Sequence, residues 1–365
     1  MRCVDCVVSN NVATMFGGGA DGVSFNRCLV TDNHTVTGGG AARLSGSNFA
    51  FNSTFTSNTA VKGGAFYYAN LVTNCLFEGN STTSGDGGAI CREGTCVITD
   101  CTFRYNYAMG SGGALTGNAS TFVTNCLFVG NTSSGHGVAV KDGVFFGCTF
   151  IGHTGTVAIV YNGCFRNCRF EKNRMANGNQ GVFQARGNGS VLRFYNSLFI
   201  GNVATNNLYN KIFDLETNSK LTLHNCSVVD SRLHGSGKSP CAANCVAVNT
   251  VFSGTYPQDM NSGNYPTMTN CLWVTQSGTL EASKAVNSRK VSNLRFEDAA
   301  SGDYTPALKS PARNAGWSDA AYLSALGPFD FAGNPRVFLK DDVGVIDIGC
   351  FESQAKSPAL RILVR

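Results

Sequence analysis

The chain has 365 residues, enough for two ordinary domains or for one long array of repeats. Its 43 glycines, 25 phenylalanines and 11 tyrosines suit a turn-rich chain with a large core, which excludes a disordered protein. The net charge of +5 is weak and no basic run occurs, which argues against a nucleic-acid partner, and no apolar stretch is long enough for a transmembrane helix.

A four-residue motif recurs twelve times along the first 273 residues. It consists of a polar residue, a small residue, any residue and a large apolar residue, as in Asn74-Cys75-Leu76-Phe77. The small position falls at Cys6, Cys28, Ser53, Cys75, Cys101, Cys126, Cys148, Cys168, Ser197, Cys226, Thr250 and Cys271, at intervals of 20 to 29 residues. Asparagine usually follows three residues after the apolar position, at Asn11, Asn33, Asn58, Asn80, Asn106, Asn131, Asn173 and Asn202.

A glycine motif lies between these copies. It reads Gly18-Gly19-Ala20, Gly39-Gly40-Ala41, Gly63-Gly64-Ala65, Gly87-Gly88-Ala89-Ile90 and Gly112-Gly113-Ala114-Leu115, and it decays to Gly137-Val138-Ala139 and then to Gly181-Val182-Phe183. Each glycine pair predicts a tight corner with positive φ, and the alanine suits a crowded interior. The asparagine column likewise suits left-handed corners, where stacked amides can bond between coils.

The two periodicities together predict the fold. The small and the large apolar residue are two positions apart, so they share one face of a strand, and stacking coils at about 4.8 Å would bury that face. We therefore expect an all-β protein, a right-handed parallel β-helix of about twelve coils, with three short strands per coil and a C-terminal capping segment. A β-sandwich is the alternative, but it does not explain a fixed column of residue types. The predicted boundaries are 1–280 for the β-helix, 281–353 for the last coils and cap, and 354–365 for a tail.

Cysteine usage follows the same column. Nine of the 16 cysteines occupy the small position, where serine or threonine replaces them in other coils, which favours a ladder of buried thiols over disulfides or a metal site. Two pairs outside the column, Cys91 with Cys96 and Cys241 with Cys245, are close enough in sequence for local disulfides.

The repeat resembles that of chlamydial polymorphic outer-membrane proteins. Gly87-Gly88-Ala89-Ile90, Phe77-x-x-Asn80 and Phe103-x-x-Asn106 carry this resemblance, which covers about residues 1–205. It implies a surface-exposed passenger β-helix associated with adhesion.

The C-terminal segment resembles the end of secreted bacterial β-helix proteins that carry varied anchor signals. The pattern runs from Asp303-Tyr304 through Ser310–Gly316 and Asp330–Arg336 to Asp347–Glu352. Residues 320–326 suit a short helical turn, and the loops around them suit a cap over the last coil. Because the first coil begins in register with no capping residues or signal peptide before it, we expect the chain to be part of a longer secreted protein.

Two groups of polar residues are candidates for a site. Asp230, Arg232 and His234 would share one face of an extended strand, with Lys238 after them and His224 on the strand before, and together they could bind a carboxylate or move a proton. Arg166, Arg169, Arg186 and Arg193, with neighbouring basic residues, could bind acidic glycans. A solvated polar surface is the simpler interpretation of both groups.

The sequence therefore favours an extracellular or cell-surface module that binds a glycan or host surface without catalysis. The alternative is a polysaccharide lyase or glycoside hydrolase, because this fold is common among such enzymes, but no recurring column of outward carboxylates is present. No cofactor or metal is expected, except calcium if the protein is a lyase. The oligomeric state stays open.

Overall fold

The protein is a parallel β-helix. A computed structural model describes residues 1–92, 94–176, 181–205, 212–216, 218–233, 245–255, 267–274, 285–336 and 345–354. Equivalent strands of successive coils pair in parallel, and the longest regular stack, sheet A, has thirteen strands. The predicted all-β parallel β-helix of about a dozen coils is thus confirmed. We number the coils 1 to 13 by their strand in sheet A.

Each coil contributes strands to sheets that run the length of the molecule. Sheet A contains β1 (Arg2–Val4), β5 (Ser24–Asn26), β9 (Phe49–Phe51), β13 (Leu71–Thr73), β17 (Cys96–Thr99), β21 (Thr121–Thr124), β25 (Val144–Phe146), β29 (Gly163–Arg166), β33 (Val191–Tyr195), β37 (Lys220–His224), β39 (Cys245–Val248), β41 (Thr267–Thr269) and β43 (Ala285–Val286). Sheet B contains β2 (Val7–Ser9), β6 (Leu29–Thr31), β10 (Thr54–Thr56), β14 (Leu76–Glu78), β18 (Thr102–Arg104), β22 (Leu127–Val129), β26 (Thr149–Ile151), β30 (Arg169–Glu171), β34 (Leu198–Ile200), β38 (Ser227–Leu233), β40 (Val251–Thr255), β42 (Leu272–Val274) and β44 (Arg289–Lys290).

Two further stacks complete the wall. Sheet C contains β3 (Val12–Ala13), β7 (His34–Thr35), β11 (Thr59–Ala60), β15 (Ser81–Thr82), β19 (Tyr107–Ala108) and β23 (Thr132–Ser133). Three later strands, β27 (Thr154–Gly155), β31 (Arg174–Ala176) and β35 (Val203–Thr205), join sheet B through the long strand β38. Sheet D contains β4 (Ala20–Asp21), β8 (Ala42–Arg43), β12 (Phe66–Tyr67), β16 (Ile90–Cys91), β20 (Leu115–Thr116), β24 (Val140–Lys141), β28 (Val160–Tyr161), β32 (Phe183–Ala185) and β36 (Phe213–Leu215).

The regular coils therefore have four short strands, and the expectation of three was wrong. Sheets A and B are joined by a two-residue corner, and so are sheets B and C, whereas the connections before and after sheet D are longer. Corners of constant length keep the core in register, while the variable connections place the differences between coils around sheet D.

Phenylalanines stack along the interior as predicted. Phe77, Phe103 and Phe128 pair in register on successive strands of sheet B and are fully buried. Their ring centroids are 4.8 Å and 4.9 Å apart, with the ring planes within 6° of parallel. Each ring thus has an identical neighbour above and below, which no single coil could supply.

The small-residue column lies inside the corner between sheets A and B, and its side chains also form hydrogen bonds with the backbone. The backbone N–H of Cys168 donates to Ser197 Oγ at 3.2 Å, and that hydroxyl donates to the carbonyl of Tyr195 at 2.9 Å. Cysteine, serine and threonine can all make both bonds, which explains their interchange. The column also has a thirteenth member that the sequence pattern missed, because Cys271 N–H donates to Ser288 Oγ at 2.9 Å.

The asparagine column forms a continuous hydrogen-bonded ladder between sheets B and C. The side-chain oxygen of Asn106 accepts both the N–H and the amide group of Asn80 at 3.0 Å, and its amide nitrogen donates to Asn131 at 2.9 Å and to the carbonyl of Phe77 at 3.0 Å. These asparagines do not adopt the left-handed conformation, so that expectation was wrong. The residue before each of them does, as Tyr105 shows with a φ of 56°.

Histidine replaces asparagine in coil 7 of this ladder. His153 is fully buried between Asn131, 3.3 Å from its Nε2, and Asn173, 2.9 Å from its Nδ1. Burial lowers the pKa of His153 to about 4, although the bond to Asn173 opposes this shift. The imidazole is therefore neutral at pH 7 and continues the ladder as a donor and an acceptor.

The glycine pairs form the crowded corner before sheet D. Gly87 has a φ of 73°, and a Cβ on Gly88 would lie 2.0 Å from the carbonyl oxygen of Gly113, so no larger residue fits. In coil 1 the structure shifts the motif by one residue from the predicted alignment. Ala20 pairs with Ala42, and the corner glycines are Gly17 and Gly18 rather than Gly18 and Gly19.

The C-terminal segment packs along the side of the last coils. Its elements are the antiparallel pair β45 (Phe296–Asp298) and β46 (Asp303–Pro306), the 3-10 turn Ala299–Ser301 between them, and α1 (Ala320–Leu326), the predicted helical turn, which is confirmed. Tyr304 and Phe351 contact Val229 on sheet B. Tyr322 of α1 contacts Val248 on sheet A. The segment therefore covers the outer faces of two sheets.

A buried polar network holds this segment together. Arg336 and Glu352 form an ion pair at 3.1 Å, and their side chains are 1% and 5% exposed. Glu352 also accepts the N–H of Asp347, while Asp330 accepts the N–H of Glu352 at 2.9 Å. The charged residues of the predicted C-terminal pattern thus form hydrogen bonds and an ion pair with one another. Replacing either Arg336 or Glu352 with an apolar residue would leave the other charge buried without its partner.

Candidate functional site: a cleft on sheet D

A cleft opens on the outer face of sheet D in coils 3 to 5. It has a volume of about 250 Å³ and is lined by Lys62, Asp86, Cys91, Arg92, Thr116 and Asn118. Cys91 and Thr116 come from the outward positions of β16 and β20, and the other four side chains come from the variable connections on either side of the sheet. The position follows from the fold, because the connections before and after sheet D vary in length from coil to coil, whereas the other corners do not.

Hydrogen bonds fix two of the charged groups of the cleft, Arg92 and Asp86. The guanidinium of Arg92 donates to Asn70 Oδ1 at 2.9 Å and to the carbonyl of Thr95 at 3.1 Å. Asp86 accepts the N–H of Ser111 at 2.7 Å and lies 3.3 Å from the ammonium of Lys141. The cleft is therefore lined by one oriented guanidinium, by the side chain of Lys62 and by one carboxylate that is already engaged.

Aromatic rings continue the same face towards coil 1. The rings of Phe16 and Tyr67 stack at 5.6 Å, and the guanidinium of Arg43 lies 4.7 Å from the centroid of Phe16. Arg92 lies 5.4 Å from the ring of Tyr68, which links the aromatic group to the cleft. Rings beside a polar cleft are common in small-molecule and glycan sites, because sugars present both apolar C–H faces and hydroxyl groups.

A second aromatic contact continues the face towards coil 8. The rings of His136 and Tyr161 stack at 4.7 Å, and Arg186 forms an ion pair with Glu216 at 3.3 Å further along. Burial raises the pKa of the Tyr161 hydroxyl. The outer face of sheet D is thus polar and aromatic over most of its length.

The acid–base candidates lie elsewhere. Asp230 and Arg232 are both exposed on β38, but Asp230 has a φ of 50°, so the strand bends there and the simple alternation of faces does not apply. Asp230 Oδ2 accepts from the hydroxyl of Tyr304 at 3.5 Å. His234 and Lys238 lie outside the described residues.

His224 is separated from that group by the A–B corner. It lies on the outer face of sheet A between the rings of Tyr195 and Tyr322. Burial lowers its pKa to about 4. Its surroundings are those of a packed aromatic contact beneath α1.

The four basic candidates are spread over three sheets. Arg166 and Arg193 belong to sheet A, Arg169 to sheet B, and Arg186 follows a strand of sheet D. Arg166 donates to the carbonyl of Ala325 at 2.6 Å, and Arg169 pairs with Glu171 at 2.9 Å. Most of these charges therefore have partners within the protein, and they do not form one patch.

The cysteine pairs give a clear result for one case. Cys91 and Cys96 are both thiols, because Cys91 lies at an outward position of β16 and Cys96 at an inward position of β17, so the proposed disulfide is wrong. Cys241 lies outside the described residues, which leaves the second pair a prediction.

A comparison with known families matches one coil. Residues 74–91 match the Chlamydia polymorphic membrane protein repeat, and this stretch contains Phe77, Asn80 and the pair Gly87–Gly88. No curated protein matches the chain. The chain is therefore a β-helix repeat protein similar to the polymorphic membrane proteins. The repeat and the fold together suggest a surface-exposed, adhesin-like protein. Within the described ranges, none of the helices has the length and hydropathy of a membrane span.

Proposed function

We propose that this protein is a non-catalytic module of the bacterial surface that binds an acidic glycan through the cleft on sheet D. The observation that carries the proposal is the charge of the cleft. Lys62 and Arg92 line the cleft together with Asp86, which already accepts a hydrogen bond from Ser111 N–H and pairs with Lys141. A sugar carboxylate could accept charge-assisted bonds from Lys62 and Arg92 while its ring packs near Tyr68.

The same cleft gives little support to hydrolysis. A glycoside hydrolase usually needs two carboxylates across its groove, and among the described lining residues only Asp86 carries one. A lyase needs a base near a cation, and it releases an unsaturated uronate product. The lyase alternative is therefore tested by an assay for that product.

The test is a glycan array with uronate-containing and neutral glycans, followed by affinity measurements on the best binder. Losing one charge-assisted bond costs about 1.5–3 kcal/mol, so Lys62→Ala or Arg92→Ala should weaken binding by about 10- to 100-fold. Arg174→Ala is the matched control, because Arg174 is exposed on a different sheet. Equal affinity of the cleft variants and the control would refute the proposal.

The catalytic alternative is examined on the same glycans by absorbance of unsaturated uronate products. We expect no product. If the unsubstituted protein releases this product and Arg232→Ala does not, the protein is a lyase and the proposal of a non-catalytic module is wrong.

A further inference from the structure

Two thiols meet inside the corner between sheets A and B in coil 1. Cys3 lies at the inward position of β1, and Cys6 is the first member of the small-residue column. Both side chains pack against the core while they remain partly exposed. Asp5 turns the chain between them with a left-handed φ of 53°, and the thiol of Cys6 is in hydrogen-bonding contact with the thiol of Cys3. The two sulfur atoms are therefore neighbours.

The later corners of the described chain do not repeat this pair. In coils 2 to 13 the position equivalent to Cys3 carries an apolar residue other than cysteine, such as Phe25 in coil 2 and Val72 in coil 4. A column cysteine such as Cys75 therefore has no second thiol on the strand of sheet A that leads into its corner. The pair in coil 1 is a local feature and does not follow from the repeat.

A third thiol lies close to the pair but is shielded from solvent. Cys28, the column member of coil 2, is 4% exposed and donates to the carbonyl of Asn26 at 3.4 Å. The thiol of Cys6 donates to the carbonyl of Val4 at 3.0 Å, and this contact is exposed. Burial raises the pKa of Cys3, and the thiols of Cys6 and Cys28 raise it further, so Cys3 is a poor first nucleophile. Reaction with an external oxidant should thus begin at Cys6.

We propose that Cys3 and Cys6 form a disulfide that closes the first corner between sheets A and B. Both are thiols in this structure, and the proposal concerns their oxidised form. A location on the bacterial surface, which the repeat and the fold suggest, provides an oxidising environment. The corner lies apart from the cleft on sheet D, so the proposal is independent of glycan binding.

The oxidant is a small-molecule disulfide such as oxidised glutathione. The Cys6 thiolate attacks one of its sulfur atoms, which forms a mixed disulfide and releases one glutathione. The Cys3 sulfur then loses its proton and attacks the sulfur of Cys6, which releases the second glutathione. The pair of cysteines loses two electrons and two protons, and both appear in the two glutathione thiols.

Peptide mass spectrometry tests the bond in the full chain. Trypsin cleaves after Arg2 and Arg27, and the peptide of residues 3–27 contains Cys3 and Cys6 and no other cysteine. The protein is reduced, incubated with oxidised glutathione, and alkylated in denaturant without further reduction. The peptide should then be lighter by two hydrogen atoms and carry no alkyl group.

Cys91 and Cys96 are the matched control in the same digest. They are also close in sequence, but one lies at an outward and the other at an inward position, so both should be alkylated without reduction. Alkylation of Cys3 and Cys6 to the same extent as this control would overturn the proposal. A bond from either of them to Cys28 would overturn it as well, and it would appear as two linked peptides.

Two serine variants test the order of the steps. Serine occupies the column in other coils, as at Ser53, so Cys6→Ser should keep the fold. Cys3→Ser leaves the mixed disulfide without a resolving thiol, and its peptide of residues 3–27 should gain one glutathione. Cys6→Ser should gain glutathione several-fold more slowly. Absence of glutathione on Cys3→Ser, or faster uptake by Cys6→Ser, would contradict the assignment of Cys6 as the attacking thiol.

Discussion

The substitution Phe103→Ala removes an interior ring of the long stack of parallel phenylalanine rings in the core. Phe103 is fully buried and lies 4.8 Å and 4.9 Å from the rings of Phe77 and Phe128. Replacing a buried phenylalanine with alanine costs about 3–5 kcal/mol, and parallel stacking with two rings adds to the usual loss of contacts. Because the coils above and below fix the backbone, the cavity cannot collapse easily. We therefore expect a loss of about 4–5 kcal/mol in the free energy of unfolding.

Urea unfolding followed by circular dichroism measures this loss as a fall in the transition midpoint. Phe122→Ala is the matched control, because Phe122 is 46% exposed on the outer face of sheet A, and its loss should be below about 1 kcal/mol. A loss below about 1 kcal/mol for Phe103→Ala would refute the stacked interior at that coil. A solenoid can unfold in steps. The two midpoints can therefore be compared only if the variant and the unsubstituted protein show the same dependence of the unfolding free energy on urea concentration.

Substitutions at three further positions address the polar columns by the same assay. Asn106→Ala removes four hydrogen bonds of a buried amide and should cost about 3 kcal/mol, and a neutral result would contradict the ladder. Ser197→Ala should cost about 1–2 kcal/mol while Ser197→Cys costs less, because cysteine keeps the acceptor for Cys168 N–H. The pKa of His153, about 4 when folded against 6.5 in the unfolded chain, means that the unfolded state binds more protons between those values, so stability falls by about 3 kcal/mol as the pH drops through that window. His153→Asn should remove this part of the acid sensitivity, and an unchanged pH profile would exclude His153 as its source.

The fold could be predicted because the core repeats. Small residues, phenylalanines and asparagines recur at fixed offsets, and each offset corresponds to a position fixed by stacking. The sequence-based predictions were wrong at positions whose conformation or residue type does not follow the repeat. The left-handed residue is the one before each asparagine, and it varies among types such as Tyr105 and Ser57, so it leaves no column in the sequence. Coil 13 was missed because Lys290 pairs with Trp273, where the pattern requires a large apolar residue.

The cleft could not be predicted because its residues do not repeat. Lys62, Asp86, Arg92 and Asn118 come from four separate connections in three successive coils, and only the stacking of coils brings them together. The acid–base candidates were chosen by alternation along a strand, and the left-handed turn at Asp230 breaks that rule. Inward positions are constrained by identical neighbours, whereas outward positions are free to differ, so sequence periodicity carries little information about a site on the outer wall.

The parallel stacking of the strands also determines how the molecule would respond to tension. Hydrogen bonds between coils point along the long axis, as the amide ladder through Asn80 and Asn106 illustrates. A pull on the two ends would load one coil boundary at a time, and each detached coil would release about 24 residues, or about 80 Å of contour length. The molecule would therefore lengthen in successive steps under tension, with each coil dissipating work before the next one opens.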